Sequence, residues 1–250
     1  DEAHGPSARA FTRWQAVVPG LRCIRGSEAG SAAAKKIGMA QARGTWMTFA
    51  EAFDFFDSRF LDEVENFVSL PRHAGAAMLC CRKIAHSDHP GLQPDVHYCR
   101  GQFSGEPRTL PATSDALAEP SNTGVFYLRS VIEKRRLRIK EDIAPFFEDT
   151  EFNIRYRLAI QKREIGVVPA AIYYYRIRAG VIGFLDSLKK HPSFYDTVFE
   201  RGYLRIARGL KAACGVVPSF AQRHIFTSLT AQVAFLSGPG GTHLVARHTT

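Results

Sequence analysis

Helical and strand periodicities alternate along the first third of the chain at the spacing of strand–helix units, and that rhythm narrows the fold to a sheet covered by helices. LRCIRG, Leu21 to Gly26, alternates its side chains as a short strand would. The following GSAAAKKIGMAQAR, Gly30 to Arg43, is an Ala-rich helix that Gly44 stops, and TWMTFA follows at once as a strand. EAFDFFDSRFLDEVENFVSL opens on an acidic, aromatic turn and becomes a helix with Phe60, Val64, Phe67 and Val68 on one side. GAAMLCCRKI, Gly75 to Ile84, is small and apolar throughout, as an internal strand is.

Residues 86–120 hold too many Pro, Gly, Asp and Ser for one regular element and read as a long excursion with room for one hairpin. NTGVFYLRSVIEKRRLRI then gives a strand or turn leading into a basic helix. APFFEDTEFNIRYRLAIQKR gives a helix from Glu148, with acids at its positive end. IGVVPAAIYYYRIR is a strand that Pro169 interrupts. From Val181 to Leu236 the pattern is helical, and SGPGGTHLVARHTT reads as a linker into a further segment. The expected division is an α/β domain over residues 1–178 and a helical extension with its linker over residues 179–250.

No apolar stretch approaches the roughly 20 residues that cross a bilayer. Lys and Arg exceed Asp and Glu by 33 − 24 = +9, which favours an anionic partner without choosing among phosphorylated substrate, nucleotide, lipid surface and nucleic acid. No zinc-finger or RNP pattern accompanies the charge, so nucleic acid is not expected. The 5 cysteines include an adjacent pair and no CxxC, which argues against a disulfide framework or a zinc site and for a reducing, cytoplasmic compartment. His86, Asp88 and His89 read as a surface loop, lacking the ligands and the framework of a metal site.

Gly30, Ala34, Lys35, Lys36 and Gly38, followed by Ala42, Gly44, Trp46 and Phe49, resemble the donor half of a glycosyltransferase family 2 domain of GT-A (Rossmann-like) fold. In that family an acidic Asp-x-Asp-Asp turn follows the strand; here the turn is Glu51, Ala52, Phe53 and Asp54, with a phenylalanine at the central carboxylate. FFEDTEF, Phe146 to Phe152, resembles the family's Glu-Asp pair beside the acceptor. HYCRGQFSGEPRTLP, SNTGVFYLRSVI, AAIYYYRIR and VPSFAQRHIFTSLTAQ resemble the family 2-like domain in front of CDP-glycerol glycerophosphotransferase modules of bacterial teichoic-acid-type polymerases. In this alignment Asp1 to Ser7 stand where the second strand ends, so the resemblance implies an N-terminally incomplete domain without the first strand and helix.

The resemblance implies transfer of a sugar from a nucleotide-sugar donor to a hydroxyl of a cell-envelope polymer or lipid-linked acceptor. It assigns Asp149 as general base with Glu148 in support, Glu51 as ligand to Mn or Mg, and Lys35, Lys36 and Asp54 to the donor. Arg135 and Arg136, in the basic run beside the acceptor helix, would hold a phosphate-bearing acceptor or face anionic lipid, or form a solvated face. A fused glycerophosphotransferase module and peripheral contact with the inner face of the cell membrane belong to the same expectation. The residues themselves also allow plainer roles, with Glu51 and Asp54 capping a helix and Asp149 complementing a helix dipole. A domain that has lost donor chemistry and serves as an acceptor-binding or scaffold module is the alternative.

Overall fold

The computed structural model describes residues 6–24, 26, 30–87, 100–144, 147–177 and 196–236. Its elements are α1 (Pro6–Gln15), α2 (Ser31–Gln41), β1 (Trp46–Met47), β2 (Phe55–Phe56), α3 (Phe60–Ser69), β3 (Ala76–Ser87), β4 (Arg108–Pro111), β5 (Val125–Leu128), α4 (Arg129–Arg135), α5 (Glu148–Ala159) and β6 (Glu164–Ile177). A π-helical segment (Asp196–Leu204), α6 (Arg205–Cys214) and α7 (Ser219–Leu236) follow.

The sheet runs β1-β5-β3-β6-β2, with β4 also on β6. Its two long strands, β3 and β6, are parallel, and the short ones join antiparallel. The apolar run of β3 is buried on both faces. Ala77, Met78 and Cys80 pack with Phe152 and Tyr156 of α5, whereas Ala76, Leu79 and Cys81 pack with Phe60, Val64 and Phe67 of α3. Pro169 interrupts β6 as expected: the register jumps from Cys81↔Val168 to Arg82↔Ile172, because proline has no N–H for the ladder. At Gly166 an added Cβ would meet Phe67 Cε1 at 2.5 Å and Leu79 Cδ2 at 2.7 Å, so helix and sheet touch there without room to spare. Gly166→Ala is expected to cost about 1–3 kcal/mol by overpacking, read as a shift in the urea midpoint.

Residues 21–24 form no strand, contrary to the alternation of LRCIRG, and Cys23 and Ile24 are exposed. Alternation offers one apolar side, but a strand needs a neighbour's ladder, and none is made to these residues. In the described part of the expected excursion, β4 pairs with the distant β6; residues 88–99, Asp88 and His89 among them, lie outside the described residues.

The helices of residues 196–236 lie against α5. Ile206, Leu210, Phe220 and Ala221 share a core with Ile154, and Tyr203 shares another with Ile143 and Phe147. Helix α5 is therefore covered on both sides, which explains why most of it, polar residues included, is buried. The expected boundary between residues 178 and 179 falls outside the described residues. No described helix is long and apolar enough to cross a membrane.

Candidate functional site

The site forms where α2, the turn after β1 and the start of α5 converge. Lys35, on the first turns of α2, is only 10% exposed in its side chain and points its ammonium between two carboxylates. Its Nζ lies 3.2 Å from Glu51 Oε1 and 3.1 and 3.4 Å from the two oxygens of Asp149. Burial alone would lower the pKa of Lys35, but the charges of Asp149, Glu51 and Glu148 outweigh it and raise the value, so the ammonium is retained. Asp149 Oδ2 also accepts the backbone N–H of Asn122 at 3.2 Å, and Glu51 Oε1 accepts from Ser31 Oγ at 3.2 Å. Beside this cluster, between α2 and residues 47–52, lies a cleft of about 450 Å³ lined in part by Ser31, Lys35, Gly38, Thr48, Phe49 and Glu51.

Polar side chains of α5 aim the site. Asn153 donates to the carbonyls of Glu119 (2.5 Å) and Ser121 (3.1 Å), and Thr150 donates to that of Pro120 at 3.1 Å. Together they hold residues 119–121 in place to present the Asn122 N–H to Asp149. The same segment is pinned to the sheet by a buried ion pair, Lys83 Nζ to Glu119 Oε1 at 2.6 Å, and Glu119 Oε1 also accepts the Ser121 N–H. Burial pushes the Glu119 carboxyl up, and Lys83 opposes it. Tyr173 of β6 braces the acidic turn from below: its hydroxyl donates to Asp54 Oδ2 at 2.6 Å and accepts the Glu51 N–H at 3.1 Å. Composition marked the tyrosines of β6 only as strand formers. Register on β6, with Ala171 and Tyr173 on one face, is the signal that turns Tyr173 toward this turn.

Glu148 is nearly fully buried, and burial together with the neighbouring Asp149 raises its pKa to about 7. An unfolded glutamate ionises at lower pH, so between about 4.5 and 7 the folded chain holds a proton that the unfolded chain has released. Stability attributable to this group therefore falls as pH rises through that window. Glu148→Gln, which cannot ionise, is expected to leave the melting temperature unchanged at pH 4 and to raise stability at pH 8 by up to about 3 kcal/mol. Equal effects at both pH values would show that Glu148 is not the group titrating.

No protein-family model matches the chain, and no curated protein matches it. Solved structures do. S. aureus TarS 1-349 in complex with UDP-GlcNAc superposes with a TM-score of 0.66 at 14% identity, covering 96% of this chain and 66% of that one. TarS 1-349 in complex with UDP gives 0.56 at 12% identity over 92% of this chain and 80% of that one. The fold is GT-A-like. The chain spans slightly less than two thirds of the first of these structures and 33% of the longer S. aureus TarS chain, which it matches with a TM-score of 0.50 at 14% identity over 86% of its own length.

Within this GT-A-like frame, the expected residues divide. Lys35, Glu51 and Asp149 come together, with Glu148 close enough to feel their charge. Lys36 points away and pairs with Glu141 at 2.5 Å, because successive residues on a helix lie about 100° apart. Arg135 and Arg136 stand exposed at the C-terminal end of α4, where Arg136 adopts a left-handed φ of 51° as the cap. Helix α4 leaves β5 at the end opposite Thr123, so these arginines are not in the Lys35–Asp149 cluster.

A hard cation needs several oxygen ligands free to converge. Phe53, at the central motif position, is 56% exposed and supplies none. Each oxygen of Asp54 accepts one hydrogen bond, from the Tyr173 hydroxyl and from the Arg176 N–H at 2.9 Å, so Asp54 ties the turn to β6. Glu51 bonds Lys35 and Ser31, both through Oε1. Among the described residues no three His, Cys, Asp or Glu side chains gather as a metal site. These residues do not offer the converging oxygens of the Mn or Mg site that the resemblance implied, and in this structure Glu51 pairs with Lys35.

Proposed function

We propose that this chain is a glycosyltransferase domain that moves a sugar from a nucleotide-sugar donor to an acceptor hydroxyl, with Asp149 as the general base. The observation that carries the reading is the Lys35–Asp149 contact, which joins residues 114 positions apart at the mouth of a cleft. The TarS structures, two of them with UDP-GlcNAc or UDP, support a nucleotide-sugar as the donor class. Asp149 is held by two donors, Lys35 and the Asn122 N–H, and a carboxylate so oriented can take the proton of a hydroxyl within about 3 Å as it attacks the anomeric carbon. The sugar–phosphate bond breaks as the new glycosidic bond forms, and the nucleoside diphosphate leaves with the bonding pair. Unpartnered buried polar atoms near the cleft, Thr48 Oγ1, the Asn122 amide and Glu148 Oε2, are groups that a bound donor or acceptor would satisfy.

A cell-envelope polymer or lipid-linked acceptor, a fused glycerophosphotransferase module and work at the cytoplasmic face of the membrane extend this reading. A second reading, a degenerate scaffold or acceptor-binding module, is favoured by one observation: Asp54 is committed to Tyr173 and Arg176. Calorimetric titration with UDP, GDP and CDP, followed by product assay with the matching sugar conjugates, separates them. Binding of one nucleotide and turnover of its conjugate is the expected result; failure of all three to bind leaves the scaffold reading.

A further inference from the structure

We infer that Lys35 replaces the divalent cation at this site: its ammonium receives the diphosphate of the donor, and donor binding proceeds without a metal ion. The inference rests on the nucleotide-sugar reading above.

Four observations carry it. The acidic turn offers fewer converging oxygens, with Phe53 at one position and the carboxylate of Asp54 tied to Tyr173 and Arg176 at another. The space between the remaining carboxylates is filled, since Lys35 Nζ lies 3.2 Å from Glu51 Oε1 and 3.1 Å from Asp149 Oδ1. A metal ion bound there would have to displace the ammonium or sit against its positive charge. The ammonium is also built in: its side chain is 10% exposed and its stem rises from α2 on the wall of the cleft.

The two holds on Lys35 differ in strength, and that difference gives the donor its opening. Glu51 is 45% exposed, and an ion pair with so exposed a carboxylate is weak and screened by salt. A diphosphate brings more charge and more acceptor oxygens than Glu51 does, so it can take Nζ from Glu51 while Asp149 keeps its contact. A lysine suits this exchange because it has three donors on a flexible stem and can bridge carboxylate and phosphate oxygens at once. The developing charge on the leaving diphosphate then meets a fixed cation.

The test titrates the protein with UDP, GDP and CDP in 1 mM EDTA (about that concentration suffices) and again in excess Mn²⁺, by a route that reads affinity alone. The expected result is a Kd for the binding nucleotide that agrees within about twofold in the two buffers and rises more than about tenfold in Lys35→Ala, with partial recovery in Lys35→Arg. Binding seen only with Mn²⁺ and lost in Glu51→Ala overturns the inference and upholds the nucleotide reading. Metal-independent binding that Lys35→Ala leaves intact also overturns it. Binding of no nucleotide in either buffer overturns both. Because the EDTA comparison uses the unaltered protein, the inference stays open to refutation even where Lys35→Ala fails to fold.

Discussion

Asp149→Asn is expected to lower transfer by roughly 10³-fold, within the 10²–10⁴ range that a positioned general base contributes, while leaving the donor's Kd within about threefold. The amide has nearly the shape of the carboxylate and can still accept the Asn122 N–H, which reaches Asp149 at 3.2 Å. It cannot take a proton. Product formation at saturating donor, measured beside donor titration, separates the two effects. A variant that keeps more than about a tenth of the wild-type rate would remove Asp149 from the role of base. The Glu148→Gln variant makes the companion measurement: it keeps Asp149 and abolishes the titration near neutral pH, so any change in the pH–rate profile without collapse of the rate belongs to Glu148.

The second large effect is structural. Arg157 of α5 is fully buried and, among the described residues, bonds no carboxylate; its guanidinium donates to the carbonyls of Ala112 and Leu117, both at 2.8 Å, and to that of Ser114. It also meets His224 Nε2 of α7 at 2.6 Å and lies 4.4 Å from the centre of the Phe220 ring. Burial lowers the arginine's pKa to about 10, a sign of how much hydration was given up to place it there. Arg157→Ala strands the buried carbonyls of Ala112 and Leu117 and the partly buried one of Ser114 and opens a cavity, so a loss of about 4–5 kcal/mol is expected in urea denaturation. Arg157→Lys is expected to recover only part of this, because one ammonium cannot span the fork of acceptors. The loss also reaches the site, since residues 112–117 lead directly into the segment that bonds Asp149 through Asn122.

His224 links the same region to pH. Burial first, and then the nearby Arg157 charge, push its pKa well below the ordinary value, so it stays neutral in the fold. Unfolded, it binds a proton near pH 6.5, and the stability gained from excluding that proton is lost as pH falls below this value. Glu148 acts in the opposite sense from about pH 4.5 to 7, so between about pH 4.5 and 6.5 the two titrations offset each other.

Much was legible from pattern. The helix of residues 60–69 and the continuous apolar run of β3 follow from periodicity and side-chain size, because each is a local statement about which face must leave water. The break at Pro169 follows from a missing N–H, and the acids at the start of α5 from the helix dipole. The roles of Glu51, Lys35 and Asp149 were legible only as positions in a resembling pattern. Their partners were not legible at all: the bonds that decide what each carboxylate can do come from Tyr173, Asn122 and Lys35, all more than ten residues away from the groups they hold.

By itself, then, the sequence determined the kind of elements, their order and the residue types that reach the cleft, since these depend on neighbours along the chain. Tertiary structure alone decided that residues 21–24 find no ladder, that Lys36 turns outward while Lys35 turns in, that Asp54 is a brace, and that an ammonium stands between Glu51 and Asp149. Each of those outcomes turns on which distant group meets a side chain once it is desolvated, and the energy of a charge or a hydrogen bond is set by that meeting rather than by the residue alone.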